Sequence, residues 1–176
     1  MHLIPPSSEY KASFIEAVRE FHADTMNTAP VLQYKNLSIP ELEADFDAYV
    51  HTQRGYARGE NLPKGFVPAT ILWLVDDGEY IGRVSIRHEL IEALRAMGGH
   101  IGYDIRPSKR NRGYGSKILE LALPIARSLG MARVLLACDE TNTGSRKIIE
   151  KNGGVLENRV ENPETGVPKL RYWIDQ

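Results

Sequence analysis

The chain has 176 residues, of which 42% are hydrophobic and 26% charged, values typical of one compact domain rather than a disordered chain. Its 22 lysines and arginines are balanced by 23 aspartates and glutamates, which argues against a general binder of nucleic acids or membrane surfaces. The single cysteine, Cys138, excludes an intrachain disulfide. The sequence shows no signal sequence and no membrane-spanning run, so we expect a cytoplasmic protein. We expect one domain over residues 1–176.

The first third of the chain is predicted to be helical. A helix over residues 8–25 follows two N-capping serines, and its apolar side chains recur every three or four positions. A second amphipathic helix opens at Ser38, carries Pro40 in its first turn and ends near Gly55. Strands are predicted next, at Thr70–Val75, Tyr80–His88 and His100–Ile105, the first two joined by an Asp-Asp-Gly turn.

The rest of the chain alternates helices and strands. A long helix begins at Tyr114 and ends before Gly130, and Pro124 should kink it or be absorbed locally. A strand, a short helix and a hairpin follow, at Arg133–Cys138, Ser145–Lys151, Val155–Val160 and Lys169–Ile174. This order predicts an α/β fold with a mixed central sheet and helices on both faces.

The segment RPSKRNRGYGSK, from Arg106 to Lys117, holds five basic residues and no acid between a strand and a helix. Gly113 and Gly115 let the backbone approach a ligand, and the N–H groups at the start of the helix carry the positive end of its dipole. We interpret the segment as a phosphate site rather than a solvated basic loop. A dinucleotide fingerprint fits less well because Ile118 replaces its third small residue, and no P-loop sequence is present.

These residues resemble those of a known family. Arg110-Asn111-Arg112-Gly113-Tyr114-Gly115 looks like the R/Q-x-x-G-x-G/A motif of the GNAT acetyltransferase superfamily. Asn142-Thr143-Gly144-Ser145 and Glu150-Lys151-Asn152-Gly153-Gly154 resemble its next strand–helix segment. The sequences RHEL, GGHIGY and SRKIIEKNGG are similar to a group of bacterial predicted acetyltransferases. The resemblance implies a GNAT fold in which the strands His100–Ile105 and Arg133–Cys138 splay apart to form a cleft for acetyl-CoA.

The resemblance also implies which residues hold acetyl-CoA, the donor substrate. The backbone of Tyr103 and Ile105 would pair with the pantetheine arm as an added strand pairs with a sheet edge, and Asn142 would reach the arm from the opposite side. Backbone N–H groups of the motif and the helix start would hold the pyrophosphate, at Arg110, Arg112, Gly113, Tyr114, Gly115 and Ser116.

The implied reaction is direct acetyl transfer to an amine, which must first lose a proton because the pKa of an alkylamine is about 10.4. His100, Glu89 and His88 are the candidate bases. Many family members protonate the departing thiolate with a tyrosine, but Ile149 occupies that position here. The replacements that stay open are release of the thiolate to solvent and protonation by Tyr103, Tyr114 or Tyr172.

Arg83, Ser85 and Arg87 alternate on one face of their strand, which either lines an acceptor site or is solvated. Arg87 is the candidate for binding a carboxylate or phosphate of the acceptor. Cys138 is expected to be a buried hydrophobe rather than a nucleophile. The five histidines lack metal-ligand spacing, so no metal is predicted.

The leading hypothesis is an acetyl-CoA-dependent N-acetyltransferase that acts on a small-molecule or peptide amine. The alternative, prompted by Ile149, is a non-catalytic acyl-CoA-binding module. A nucleic-acid contact through residues 106–117 is a third hypothesis, which the near-neutral net charge disfavours. The terminal strands could also extend a sheet across a homodimer.

Overall fold

The computed structural model describes residues 1–26 and 29–176. The helices in these ranges are α1 (Lys11–Ala23), α2 (Ala29–Lys35), α3 (Ile39–Ala44), α4 (Phe46–Gly55), α5 (Tyr114–Ser128) and α6 (Thr143–Lys151). The strands are β1 (His2–Ile4), β2 (Ala69–Asp76), β3 (Glu79–Arg87), β4 (Ile101–Ile105), β5 (Arg133–Asp139), β6 (Val155–Val160) and β7 (Lys169–Asp175). Short 3₁₀ turns precede α1, follow α4 and follow β4, and a π-helical turn precedes β4.

The strands form two antiparallel sheets. The larger has the order β1-β2-β3-β4 and the smaller β5-β7-β6. Between β4 and β5 the described residues form no ladder, and one bridge between Gly99 and Leu136 joins the two sheets. The predicted α/β class is confirmed, and the strand pair expected to splay is the place where hydrogen bonding across the strands is interrupted.

Two hydrophobic cores lie on the two faces of the larger sheet, because successive side chains of a strand point to opposite sides. Trp73 and Val75 of β2 pack with α1 to α4, and Phe14 stacks on Trp73 with ring centroids 4.8 Å apart. Leu72 and Leu74 pack instead with α5 and α6. The helices therefore cover both faces, as predicted.

The helical region differs from the prediction in detail. The helix expected from Ser8 begins as a 3₁₀ turn, and α2 was not predicted. The helix expected over residues 38–55 is two helices, because Asp45 leaves the helical conformation with φ −145°. Its carboxylate accepts a hydrogen bond from the N–H of Ala48 and so caps α4.

The long helix α5 continues through Pro124, whose side chain is exposed. It ends as predicted, because Gly130 takes the left-handed φ of +88° that terminates many helices. None of the helices in the described part of the chain is long and apolar enough to cross a membrane. At the edge of the smaller sheet, β6 leaves Val155 and Leu156 exposed.

Candidate functional site

The two sheets approach each other most closely where β4 begins. The N–H of His100 donates to the carbonyl of Leu135 at 2.7 Å. Gly99 has φ +74°, and a Cβ at this position would lie 2.4 Å from the same carbonyl oxygen. Because only glycine combines this φ with this close approach, Gly99 fixes the point from which β4 and β5 separate.

A cavity of about 510 Å³ opens beyond this point, between β4 and β5. We call it the cleft cavity. It is lined by residues of both strands, by the start of α6 and by the segment before α5, among them Gly102, Tyr103, Ile105, Cys138, Asn142 and Ser145. The separation of the strands thus produces a concave site of the size that small molecules occupy.

One edge of β4 faces this cavity with its backbone. Arg87 donates its N–H to the carbonyl of His100, and Arg106 donates to that of Ile81, so the residues of β4 that pair with β3 are Gly102 and Asp104. The intervening N–H and carbonyl groups of Tyr103 and Ile105 therefore point away from β3. The carbonyl of Ile105 already accepts a bond from Nε of Arg110 at 3.2 Å.

The N-terminus of α5 borders the cleft cavity through Gly115. Gly113, the N-cap residue, has φ +84° and no capping side chain, and among the described residues only its chain neighbours can lie within 4 Å of the position of a Cβ. The first backbone N–H that bonds inside the helix is that of Lys117, which donates to Gly113. The preceding N–H groups form no backbone hydrogen bond within the described part of the chain, so they can meet an anion, which the helix dipole favours there.

The basic segment is less positive than its sequence indicates, because acids from distant elements approach it. Arg106 is buried and pairs with Glu20 at 2.6 Å, so it holds α1 against the sheet rather than facing a ligand. Arg106 also pairs with Glu79 at 3.8 Å, and three more ion pairs join Lys109 to Glu79, Arg110 to Asp24 and Lys117 to Glu120. Within the described residues Arg112 is the one basic side chain of this segment with no ion pair. The free positive charge is therefore concentrated beside Gly113.

A second cavity of about 520 Å³ lies over the face of the sheet formed by β2, β3 and β4. We call it the sheet cavity. Its floor is Ala69, Ile71, Arg83, Ser85, Arg87, Gly102 and Asp104, so the alternating polar residues of β3 line one cavity together. Its walls come from α2, α4 and the loop before β2, and include Tyr49, Gln53, Tyr56, Leu62 and Phe66.

A buried polar network closes one end of the sheet cavity. Tyr34 donates its hydroxyl to Asp104 at 2.5 Å and also contacts the hydroxyl of Tyr80. Arg83 pairs with Asp104 at 3.4 Å, directly across the β3–β4 register. Burial raises the pKa of Asp104, although the positive charge of Arg83 opposes this. The network ties α2 to the strand that lines both cavities.

The two cavities meet at Arg87 and residues 102–104, which line both. The Arg87 guanidinium donates to the carbonyl of Gly99 at 2.9 Å, and Gly102 leaves the room that it occupies against β4. Burial lowers the pKa of Arg87, and the neighbouring Arg83 adds to this effect. A cation thus stands at the junction of the two cavities.

Tyr103 also belongs to the junction. Its hydroxyl lies 2.9 Å from that of Ser145, at the start of α6. Burial raises the pKa of Tyr103, so the hydroxyl keeps its proton at neutral pH. Burial also raises the pKa of the nearby Cys138 thiol to about 11, which agrees with the prediction that Cys138 is a buried thiol rather than a nucleophile.

The three residues predicted as candidate bases lie elsewhere. His88 bonds through Nε2 to the hydroxyl of Thr70 at 2.8 Å, and Glu89 is exposed just after β3. His100 accepts the N–H of Leu135 through Nδ1 at 2.9 Å. None of the three is among the described residues that line either cavity. Their catalytic role stays a prediction.

We expect His100→Asn to make the fold less sensitive to acid. Burial lowers the pKa of His100, and the charges of Arg95 and Arg87 lower it further, so the folded protein holds the ring neutral. In the unfolded chain the ring binds a proton with the ordinary histidine pKa of 6.5. The neutral His100 ring therefore contributes its full stabilisation of the fold above that pH, and the contribution is lost as the pH falls below it. Asparagine can still accept the Leu135 N–H but does not titrate. Urea unfolding of both proteins on either side of that pH checks this, and equal losses on acidification would contradict it.

Asp104 and Tyr34 were not identified from the sequence as site residues. A signal for Asp104 was present, because β4 alternates apolar side chains with Gly102 and Asp104, and a carboxylate inside a strand needs a partner. That partner, Arg83, lies directly opposite on β3. Tyr34 gave no such signal, since it belongs to a helix that the sequence did not predict.

The same fold occurs in solved acetyltransferases. The microcin C7 self-immunity acetyltransferase MccE, solved with acetyl-CoA and AMP, is 16% identical over 99% of this chain and 91% of its own, with a TM-score of 0.70. The Salmonella typhimurium enzyme that modifies the N-terminal serine of ribosomal protein L7/L12 is 18% identical over 99% and 94%, with a TM-score of 0.68. Mycobacterium smegmatis RimJ, solved with a CoA disulfide, is 16% identical over 98% and 80%, with a TM-score of 0.69.

A family model described as the acetyltransferase (GNAT) domain matches residues 9–155. The chain therefore belongs to the GNAT acetyltransferase family, as its motifs predicted. Membership of this family indicates that the protein is an acetyltransferase. No curated protein matches the chain in sequence.

Proposed function

We propose that this protein is a cytoplasmic, acetyl-CoA-dependent N-acetyltransferase that acetylates a primary amine. The observation that carries the proposal is the meeting of two cavities at Arg87 and residues 102–104: one lies between splayed strands beside an uncapped helix, and the other lies over the sheet. Donor and acceptor can enter such a site from opposite sides and react where the cavities join. The structures of MccE with acetyl-CoA and of RimJ with CoA support the choice of donor.

The cleft cavity is proposed to hold acetyl-CoA, which supplies an acetyl group activated as a thioester. The open backbone of Tyr103 and the N–H of Ile105 suit the pantetheine amides, with Asn142 across the cleft. The N–H groups at the start of α5 suit the pyrophosphate, and Arg112 adds a positive charge that forms no ion pair with the described residues. Arg110 is held by Asp24, so it contributes its backbone rather than a free side chain.

The residues at the junction can support each step of transfer. A β4 N–H that points into the cleft can stabilise the negative charge that develops on the acetyl oxygen. The Tyr103 hydroxyl, backed by Ser145, can protonate the departing sulfur. Tyr114 and Tyr172, the other tyrosines considered for this step, bond to Asp76 and Glu150 and line neither cavity among the described residues.

The base that takes the proton of the amine is proposed to be one of four residues. His88, Glu89 and His100 stay on this list from the sequence. Asp104 joins them because it is the one carboxylate of the described residues that lines the sheet cavity, and burial favours its uptake of a proton.

We expect Gly113→Asn to weaken CoA binding by at least about tenfold, or about 1.4 kcal/mol. Asparagine tolerates the left-handed φ of Gly113, and its side chain would enter the open space in front of the free N–H groups of α5. Gly130→Asn is the matched control, since Gly130 has φ +88° and equally open space at the other end of the same helix. Calorimetric titration with CoA compares the two variants, and equal affinities would place the phosphates elsewhere.

Turnover separates the enzyme from the alternative, a non-catalytic acyl-CoA-binding module. The observation behind the alternative is Ile149, which occupies the usual position of the acid and is packed in the core at 1% exposure. An enzyme releases free thiol from acetyl-CoA only when an amine is added, and the acetylated amine appears in equal amount. Tight CoA binding with no thiol release on any amine would establish the binding module instead.

A further inference from the structure

The residues that line the sheet cavity favour one class of acceptor. This inference rests on the proposed function. Of the described residues that line the cavity, the charged ones are Arg83, Arg87 and Asp104. Arg83 and Asp104 neutralise each other in an ion pair. Arg87 bonds only to backbone carbonyls of Gly98 and Gly99, so no acid in the described chain compensates its charge.

The cavity is therefore positive before any acceptor enters. A polyamine or another acceptor with cationic groups alone would meet Arg87 without a free carboxylate to offset repulsion, since Asp104 is already paired. An acceptor that carries an anionic group of its own is instead attracted to Arg87. A carboxylate forms two parallel hydrogen bonds with a guanidinium, and such charge-assisted bonds are the strong ones.

The position of Arg87 sets how far the anion lies from the reacting amine. Arg87 lines both cavities, and its Nη2 lies 3.4 Å from the position that a Cβ would take at Gly102. Gly102 directly precedes Tyr103 on β4. A carboxylate held here is close to the place where acetyl group and amine must meet. Amine and carboxylate must then be joined by a short connection, as in an α-amino acid.

The walls of the cavity indicate the rest of the molecule. Tyr49, Tyr56, Leu62 and Phe66 offer aromatic and aliphatic surface for an apolar body. Gln53 is only 8% exposed, and its Oε1 has no hydrogen-bond partner in the described structure. A buried acceptor without a partner costs free energy that a ligand N–H would recover. The volume of about 520 Å³ falls within the range of sites for small molecules.

We propose that the acceptor is a free α-amino acid with a large apolar side chain, whose carboxylate binds Arg87 and whose side chain lies between Tyr49, Tyr56 and Phe66. A side chain that ends in an N–H donor, such as an indole, also satisfies Gln53. Peptide amino termini and polyamines lack the adjacent carboxylate and are poor acceptors.

Matched substrates test the proposal on the unmodified enzyme. Thiol release from acetyl-CoA is measured with L-tryptophan, with tryptamine, which lacks only the carboxylate, with tryptophanamide and with spermidine. We expect kcat/KM for tryptophan to exceed that for each of the others by at least about tenfold. Arg87→Gln should bring the ratio between tryptophan and tryptamine close to one, and Arg87→Lys should keep part of it. Arg95→Gln is the control, because Arg95 is an exposed arginine that lines neither cavity, and it should leave the ratio unchanged.

The outcomes separate the acceptor class from the proposed function. If acetyl-CoA binds and tryptamine, spermidine or a peptide amine reacts as fast as tryptophan, the amino-acid proposal is overturned while the acetyltransferase stands. If acetyl-CoA binds but no amine reacts, both the amino-acid proposal and catalysis fail. Melting temperatures of the Arg87 variants show whether they fold, and the comparison of substrates on the wild-type enzyme decides the proposal even if they do not.

Discussion

Tyr103→Phe is expected to lower kcat for acetyl transfer by roughly 10²- to 10⁴-fold, the range over which a positioned proton donor acts. The substitution removes one oxygen from the junction of the two cavities and leaves the β4 backbone unchanged. The affinity for CoA should therefore stay within a few-fold. Tyr103 is suited to this role by position, because it lines both cavities and Ser145, 2.9 Å away, can orient its hydroxyl. Burial raises the pKa of Tyr103, so the hydroxyl is protonated before the transfer.

Tyr114→Phe is the control for this result. Tyr114 also loses a hydrogen-bonded hydroxyl, to Asp76 at 3.0 Å, but that bond lies outside both cavities and kcat should not change. Ser145→Ala tests the contact between the Tyr103 and Ser145 hydroxyls directly. The variant removes only the hydroxyl, because the backbone N–H of residue 145 still donates to Asn142 and keeps the cap of α6. We expect a smaller loss of kcat than in Tyr103→Phe. Unchanged kcat in Tyr103→Phe would show that the thiolate leaves without a proton from this residue.

The cleft could be predicted from the sequence because its parts are local. The glycines at 113 and 115, the strand before them and the helix after them are neighbours along the chain, so spacing and capping rules apply directly. The splayed strands were predicted through family resemblance, and the structure shows the separation starting at Gly99. Short-range patterns thus identify the side of the site where the backbone does the binding.

The sheet cavity could not be predicted in the same way, because its residues come from distant parts of the chain. Gln53, Tyr56 and Phe66 meet β3 and β4 only through the packing of α4 and the loop before β2. The charge of the basic segment was misjudged for the same reason. Glu20 and Asp24, which neutralise Arg106 and Arg110, lie more than eighty residues earlier in the sequence. Composition counts such charges but does not pair them.

Asp104→Ala is expected to lower the free energy of unfolding by about 3–5 kcal/mol, which is typical when one partner of a buried ion pair is removed. The Arg83 side chain is 15% exposed and that of Asp104 6%, so neither is compensated by water. Burial acts to lower the pKa of Arg83, but the Asp104 carboxylate together with the hydroxyls of Tyr34, Tyr49 and Tyr80 raises it above its ordinary value. Without Asp104 the arginine stays charged in a buried position, and the Tyr34 hydroxyl loses its acceptor.

Arg133 and Asp175 provide the matched control, because they form the same kind of cross-strand pair in the smaller sheet, at 3.2 Å but with side chains 55% and 85% exposed. Asp175→Ala should cost no more than about 1 kcal/mol, the upper range for exposed pairs. Urea unfolding of both variants gives the comparison, and equal losses would contradict a buried role for Asp104. The double variant Arg83→Met with Asp104→Leu should recover most of the loss, since it leaves no charge uncompensated.

Asp104→Asn, assayed below its melting temperature, then separates the structural role of this carboxylate from its proposed role as the base. A folded protein with full kcat would limit Asp104 to holding α2 against β4, whereas a loss of kcat with CoA affinity retained would make it the base.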